Sequence, residues 1–160
     1  MNIFKKLSMI FRPRLLRRVK VLELDACDGK VDISLVDKVF AFASSLFKDL
    51  MVVVGLATPQ MKVAVYELVR DAKFVDIFTS LSSDLDRLCL TQGQIIEFCR
   101  NHSEDLSRDG ITSFLFKVNG EYFVADVRVR SDGLYARVCR FGDGGVWRGG
   151  YRPRVVVPQL

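Results

Sequence analysis

The chain has 160 residues, of which 49% are apolar and 27% are charged, and its net charge is +5. This composition is typical of a folded protein with a hydrophobic core and excludes an intrinsically disordered chain. The charge is unevenly distributed. Residues 1–20 hold seven basic residues and no acid, residues 21–110 hold nine Lys or Arg against fifteen Asp or Glu, and residues 111–160 hold eight against four.

Residues 1–20, MNIFKKLSMIFRPRLLRRVK, form a basic arm with an amphipathic pattern. Five apolar residues recur at helical spacing: Ile3, Phe4, Leu7, Ile10 and Phe11. The basic residues of the arm are Lys5, Lys6, Arg12, Arg14, Arg17, Arg18 and Lys20. Three interpretations stay open. The arm lies on an anionic membrane surface, neutralises the phosphates of a nucleic acid, or packs on the acidic middle of its own chain.

The sequence between the arm and residue 84 predicts a helical region. Residues 19–26 are compatible with either a strand or a helix, but apolar residues recur at helical spacing over residues 31–81. Thr58 and Pro59 match the N-cap and the first position of a helix. The Ser-Ser-Asp stretch at residues 82–84 is a break, which we interpret as the boundary of a second module.

A capped helix opens this second module. Thr91 and Gln94 have the spacing of a capping box, in which each side chain bonds to the backbone N–H of the other residue. The helix is expected to run to about Arg108 and to stop at Gly110, because glycine readily adopts the left-handed conformation that ends helices.

Two strands, ITSFLFKV and EYFVADVRVR, follow the helix and are joined by Asn119 and Gly120, the residues of a type I′ hairpin turn. This turn places Phe116 opposite Phe123. The same register brings most of the large apolar residues of both strands onto one face. We predict that five of them are buried under the capped helix: Phe114, Phe116, Phe123, Ala125 and Val127.

Two further stretches, LYARVCRF and VWRGGYRPRVVVP, predict a third and a fourth strand. We assign the last strand to the sheet edge because it contains Pro153, which lacks a backbone N–H. The predicted fold class is α+β, with a helical N-terminal region, then one capped helix and a four-stranded antiparallel meander. The predicted units are the arm at 1–20, the helical region at 21–84 and the helix-plus-sheet module at 85–160.

The second face of the predicted meander mixes basic and aromatic side chains. The candidate binding residues are Lys117, Tyr122, Arg128, Arg130, Tyr135, Arg137, Arg140, Trp147, Arg148, Tyr151 and Arg152. Arginines interleaved with aromatic residues are typical of a stacking platform for single-stranded nucleic acid. They are also common on ordinary exposed strands, where both residue types suit the pleat. Leu115 and Val124 fall on the same face as direct cross-strand partners.

The sequence predicts no catalytic residue, no metal site and no cofactor. Cys99 and His102 are three residues apart on one helix face, but no oxyanion-stabilising motif accompanies them. Together with Cys89 and Cys139, this pair gives four residues of the types that bind zinc. Zinc fingers and ribbons, however, have ligands in closely spaced pairs, and these four residues do not. We therefore interpret these residues as parts of a packed core.

The four irregularly spaced cysteines favour reduced thiols and hence a cytoplasmic protein. No uncharged run reaches the roughly 18 residues that a membrane span needs. We expect a small non-enzymatic interaction module that binds a protein or another macromolecule, with a protein as the favoured partner. The alternatives are a nucleic-acid-binding protein that uses the arginine and aromatic face, and a protein held at an anionic membrane by its basic arm. The sequence does not indicate an oligomeric state.

Overall fold

A computed structural model describes residues 14–160 of the chain. In these residues it contains four helices: α1 (Ile33–Val39), α2 (Ser45–Met51), α3 (Phe74–Thr79) and α4 (Gln92–Asn101). The same residues form nine strands: β1 (Leu16–Leu24), β2 (Lys30–Val31), β3 (Phe42–Ala43), β4 (Val53–Val54), β5 (Met61–Leu68), β6 (Ile111–Val118), β7 (Glu121–Arg130), β8 (Gly133–Arg140) and β9 (Arg154–Pro158). Short 3₁₀ turns cover Leu85–Leu88, Ser103–Asp105 and Gly149–Tyr151.

Seven of these strands form one mixed sheet in the order β1-β5-β9-β6-β7-β8-β3, while β2 and β4 pair separately. Neighbouring strands are antiparallel except for β6 with β9 and β3 with β8, which are parallel. Apolar residues of α1, α2 and α4 cover one face of the sheet, which we call the first face. Those of α3 and the turn at Leu85–Leu88 cover part of the opposite face, the second face.

The predicted helical N-terminal region is wrong. The chain is α+β, but residues 16–24 and 61–68 are long antiparallel strands that pair from Leu16 with Leu68 to Leu24 with Met61. Strand β5 lies inside the sheet, and Val63, Ala64 and Val65 are all buried although they point to alternate faces. A strand buried on both faces lacks the alternating pattern that identifies an exposed strand, so helical spacing was an unreliable guide here.

The predicted four-stranded meander is also wrong. Strands β6, β7 and β8 form a three-stranded meander, but β9 crosses to the other side of β6 and pairs with both β5 and β6. It is therefore central and not at the sheet edge. Pro153 lies one residue before β9, where its missing N–H costs no ladder hydrogen bond. The capped helix is also shorter than expected, because α4 ends at Asn101 with His102 as its C-cap.

The structure confirms the predicted hairpin register and the capping box. Phe116 pairs with Phe123, Phe114 with Ala125 and Thr112 with Val127. The five predicted core residues of the hairpin are buried, and the Phe114 ring lies 5.3 Å from the ring of Phe98 in α4. In the capping box, the backbone N–H of Gln94 donates to the Thr91 hydroxyl, and the backbone N–H of Thr91 donates to the Gln94 side-chain oxygen.

The second face of the meander is only partly exposed. Leu115 and Val124 are completely buried on it. They belong to a second hydrophobic cluster that includes Phe74 and Phe78 of α3 and Leu88 of the adjacent 3₁₀ turn. The part of this face that α3 leaves open lies toward β3, the end of β7 and the start of β8, and it carries four of the eleven predicted residues: Arg128, Arg130, Tyr135 and Arg137.

Candidate interaction surface

A group of side chains, which we call the sheet patch, occupies this open part of the second face. It consists of Phe42, Arg128, Arg130, Tyr135 and Arg137; all of them are exposed except Tyr135, which is half-buried. Cross-strand pairing joins Arg128 to Tyr135 and Tyr135 to Phe42, so residues of three strands lie in one row. The rings of Phe42 and Tyr135 stack with centroids 5.5 Å apart, and the Arg130 guanidinium lies 4.9 Å from the Tyr135 centroid. Cations over aromatic rings are stabilised by the ring quadrupole.

The three arginines of the sheet patch are exposed, and among residues 14–160 none of them forms a salt bridge. On the same face, Asp126 is the cross-strand partner of Arg137, and its carboxyl accepts a 2.9 Å hydrogen bond from Ser113 Oγ. Burial raises the pKa of Asp126 to about 7, although the hydrogen bond from Ser113 and the charge of Arg128 act in the opposite direction. Near neutral pH this carboxyl is therefore only partly ionised.

A groove of about 500 Å³ adjoins the sheet patch and shares Arg128 with it. We call it the tryptophan groove. Its lining residues are Asp109, Gly110, Ile111, Arg128, Val146, Trp147, Arg148, Tyr151 and Pro153. Val146 and Tyr151 are 58% and 61% exposed, which is high for side chains of this size. The groove and the sheet patch together form one continuous surface of arginine, aromatic and aliphatic side chains.

The walls of the tryptophan groove are held in place by contacts behind them. Trp147 exchanges two backbone hydrogen bonds with Ala72, at 2.8 and 3.0 Å, and its ring lies 4.7 Å from that of Phe74. On the same wall, the backbone N–H of Gly149 donates to Asp71 Oδ1 at 3.0 Å. On the other side, the Ser107 hydroxyl donates to the Arg152 carbonyl at 2.8 Å. The groove is therefore formed before any partner binds.

Three predicted surface residues are engaged elsewhere. Lys117 and Tyr122 both bond to Asp86, so they fasten the 3₁₀ turn at residues 85–88 to the hairpin. Arg140 pairs with Phe123 across the strands and therefore lies on the first face. There its guanidinium forms a 3.1 Å salt bridge with Glu121. Arg140 is three residues after Arg137, and the alternation of side chains along a strand places two such residues on opposite faces.

The structure places part of the basic arm in a strand. Arg17 and Lys20 belong to β1 and form 3.2 Å salt bridges with Glu67 and Asp105. Arg14 and Arg18 line a groove of about 810 Å³ beside α3. The remaining basic residues of the arm lie outside the described residues: Lys5, Lys6 and Arg12. The structure thus explains two of the seven cations as ion-pair partners within the fold.

The cysteines lack the features of activated nucleophiles. All four are free thiols, and Cys99 is buried in the core. Burial raises the pKa of each of the four, to about 12 for Cys139 and to about 11 for Cys89. The thiolate is the reactive form of cysteine, so these side chains are poor nucleophiles at neutral pH. His102 lies beside Phe98, with ring centroids 5.6 Å apart.

Among the described residues, one cluster has the composition of a metal site. His102, Glu104 and Asp105 each place a ligand atom within 4.8 Å of the others. The Lys20 ammonium, however, lies 3.2 Å from Asp105 Oδ1 and supplies the positive charge that a cation would bring. Asp105 Oδ2 is buried without a hydrogen-bond partner. The structure therefore shows an ion-paired turn at this position.

Three contributors to the surface were not identified from the sequence. Phe42 fits the helical spacing of residues 31–81, yet it lies in β3 and stacks on Tyr135. Ile111 and Val146 line the tryptophan groove, but they come from the start of β6 and from a loop after β8. Only the parallel pairing of β3 with β8 and the crossing of the chain after β8 bring these residues together.

Comparisons with protein-family models, with curated protein sequences and with solved structures found no match for this chain. None of the helices within residues 14–160 is long and apolar enough to cross a membrane. The function must therefore be inferred from the surface itself.

Proposed function

We propose that the protein is a small non-enzymatic interaction module that binds an acidic region of a partner protein. The observation that carries this proposal is the continuity of the sheet patch with the tryptophan groove through Arg128. Trp, Tyr and Arg are the residues that most often dominate the binding energy of protein interfaces. Here Arg128, Arg130, Tyr135 and Arg137 lie on a part of the sheet that α3 leaves uncovered, and Trp147 and Tyr151 line the adjoining groove.

The charge of the surface supports an acidic partner. Four arginines lie on it, namely Arg128, Arg130, Arg137 and Arg148, and none of them forms a salt bridge within residues 14–160. The acids nearby are fewer. Asp109 lines the groove, and Asp132 accepts a 2.7 Å hydrogen bond from Tyr135 Oη. An excess of one charge on an exposed surface steers partners of the opposite charge toward it.

The absence of a catalytic role is part of the proposal and rests on the chemistry of the thiols. Their raised pKa values keep them protonated, so a cysteine-based mechanism has no support in this geometry. The four free cysteines also suit a reducing compartment, and we propose a cytoplasmic location.

The test is co-purification of the full-length chain from its native host, with and without nuclease treatment. The sheet-patch variant is Phe42→Ala with Arg130→Glu, which removes an exposed ring and reverses one charge. Lys38→Glu is the matched control, because Lys38 is an exposed cation on α1, away from the patch. We expect a nuclease-resistant protein partner that the patch variant loses and the control retains. Equal recovery of that partner by both variants would exclude the sheet patch as its binding site.

Single-stranded nucleic acid is the second candidate, and the stacked arrangement of Phe42, Tyr135 and Arg130 is the observation that favours it. Bases stack on aromatic rings and on guanidinium planes. The test is retention of a twelve-nucleotide oligothymidine or oligouridine over a range of salt concentrations. Phosphate contacts on single strands give a log–log slope of about −0.7 for each contact. Failure of the chain to retain either oligonucleotide at low salt would remove this candidate.

Association with an anionic membrane stays a third proposal, and it depends on Lys5, Lys6 and Arg12 with their neighbouring apolar residues. Two other cations of the arm, Arg17 and Lys20, pair with acids of the fold, which reduces the charge left for a membrane. Sedimentation of the full-length chain with vesicles that contain phosphatidylserine tests it. Each cation near such a surface contributes about 1 kcal/mol.

A further inference from the structure

The tryptophan groove combines exposed cations with exposed aliphatic surface. Its arginines, Arg128 and Arg148, are exposed cations without a salt bridge among the described residues. Aliphatic side chains line the same groove, of which Ile111 is half-buried and Val146 is mostly exposed. A ligand that fills this groove therefore meets apolar surface and positive charge within a few ångströms.

We propose that this groove docks a short segment of the partner protein in which an Asp or Glu lies next to an aliphatic or aromatic residue. The inference rests on the proposed function and names the chemistry of the segment. The carboxylate would bond to Arg128 or Arg148, since guanidinium and carboxylate groups match in geometry. The neighbouring apolar side chain would cover Ile111 and Val146 and remove them from water.

The size and rigidity of the groove fit such a segment. Its volume of about 500 Å³ lies in the range of small-ligand sites, so it accommodates a few side chains and not a folded surface. Backbone hydrogen bonds hold the wall that carries Trp147 and Gly149. Close packing also leaves no room to reshape that wall, because a Cβ at Gly149 would approach the backbone nitrogen of Arg70 to 2.7 Å. A preformed groove saves the entropy of ordering it upon binding.

The lining favours a peptide over a nucleic acid. Bases need exposed flat rings to stack on, and of the two rings in the lining Trp147 is half-buried against Phe74, which leaves Tyr151. Ile111 and Val146 offer aliphatic surface instead. Asp109 also lines the groove, and its carboxylate can accept a hydrogen bond from a peptide N–H, a donor that the sugar–phosphate backbone lacks. The charge and the shape of the groove therefore point to the same class of ligand.

The test uses blocked twelve-residue Gly/Ser peptides with one central pair of residues, either Glu-Leu, Gln-Leu, Lys-Leu or Glu-Gly. Methyl NMR spectra of the full-length chain report binding at Ile111 and Val146. We expect the Glu-Leu peptide to shift these methyl signals. Both Gln-Leu and Glu-Gly should bind at least tenfold more weakly, since Gln-Leu lacks the carboxylate and Glu-Gly lacks the apolar side chain.

Reversing the charge of one groove residue tests whether the peptide binds in the groove. Arg148→Glu should abolish the response to Glu-Leu and create one to Lys-Leu, whereas Lys38→Glu, which reverses an exposed cation on α1 outside both the groove and the sheet patch, should leave the Glu-Leu response unchanged. Equal responses to Glu-Leu and Gln-Leu, or no response to any peptide, would overturn the inference. So would a twelve-nucleotide oligothymidine that shifts the groove methyls when the peptides do not. A partner that binds through the sheet patch but is insensitive to Arg148→Glu would leave the proposed function intact and remove only this inference.

Discussion

Phe116 and Phe123 face each other across the β6–β7 hairpin, with ring centroids 5.8 Å apart and both side chains buried. Because truncation of a buried Phe leaves a cavity, Phe116→Ala should lower the free energy of unfolding by about 3–5 kcal/mol. Val54→Ala, at a side chain that is 89% exposed, should change it by less than about 0.5 kcal/mol. Urea denaturation measures both values. Equal stability of the two variants would contradict the hairpin register.

The glycines of the loop after β8 give a matched pair of variants. A Cβ at Gly144 would overlap the ring of Phe74, whereas a Cβ at Gly145 would meet nothing within 4 Å. Gly144→Ala should therefore cost about 1–3 kcal/mol of stability, as overpacking usually does. Gly145→Ala should be close to neutral. Thermal unfolding of both variants checks this. A loss of the same size in both would show that Phe74 is not packed under this loop.

Asp126 should make stability depend on pH. In the unfolded chain its carboxyl titrates near 4, whereas in the folded chain its pKa is about 7. Between these values the folded state binds more protons, so the contribution of Asp126 to the free energy of unfolding falls as the pH rises from 4 to 7. Asp126→Asn removes this contribution. The variant should match the parent at pH 4 and be the more stable of the two at pH 8.

Differential scanning calorimetry across this pH range measures the effect of Asp126→Asn. Asp143→Asn, at an exposed acid, is the control and should change the melting temperature by a similar small amount at every pH. A difference between Asp126→Asn and the parent that stayed constant from pH 4 to pH 8 would mean that the Asp126 carboxyl titrates normally in the fold.

Two truncations separate the sheet from the basic arm. Deletion of residues 1–18 removes Leu16, which is buried and paired with Leu68, together with Arg17 and its salt bridge to Glu67. Burial of a leucine contributes about 1.5–3 kcal/mol, so this deletion should lower the melting temperature markedly. Deletion of residues 1–13 spares all of β1 and should lower it far less. A similar decrease in the melting temperature of both truncated chains would indicate that residues 1–13 pack on their own chain.

Local signals in the sequence were sufficient for the hairpin and for the start of α4. The turn residues Asn119 and Gly120 fix the register of their two strands, and the Thr91 capping box needs only residues of its own first turn. Strands β5 and β9 were misassigned because their place depends on distant partners. Three consecutive valines at residues 155–157 are all buried, and this pattern does not say which strands enclose them.

Part of the candidate surface was predictable because it depends only on local alternation along two strands. Arg128, Arg130, Tyr135 and Arg137 follow from the alternation of β7 and β8 on one face, and the structure places all four there. Phe42 is far from them in sequence, and its stacking on Tyr135 depends on a parallel bridge of only two residues. Whether these residues bind a partner stays a prediction for the experiments above.

The central position of β9 has a consequence for how the chain is synthesised. Strands β1 and β5 form one half of the large sheet and β6, β7, β8 and β3 form the other, and β9 is the strand that pairs with both halves. Residues 154–158 leave the ribosome after every other strand of that sheet. Until then each half presents an unpaired inner edge, which invites pairing with other chains. Release of a nascent chain that lacks these five residues should therefore favour aggregation, and this stage is where a chaperone would act.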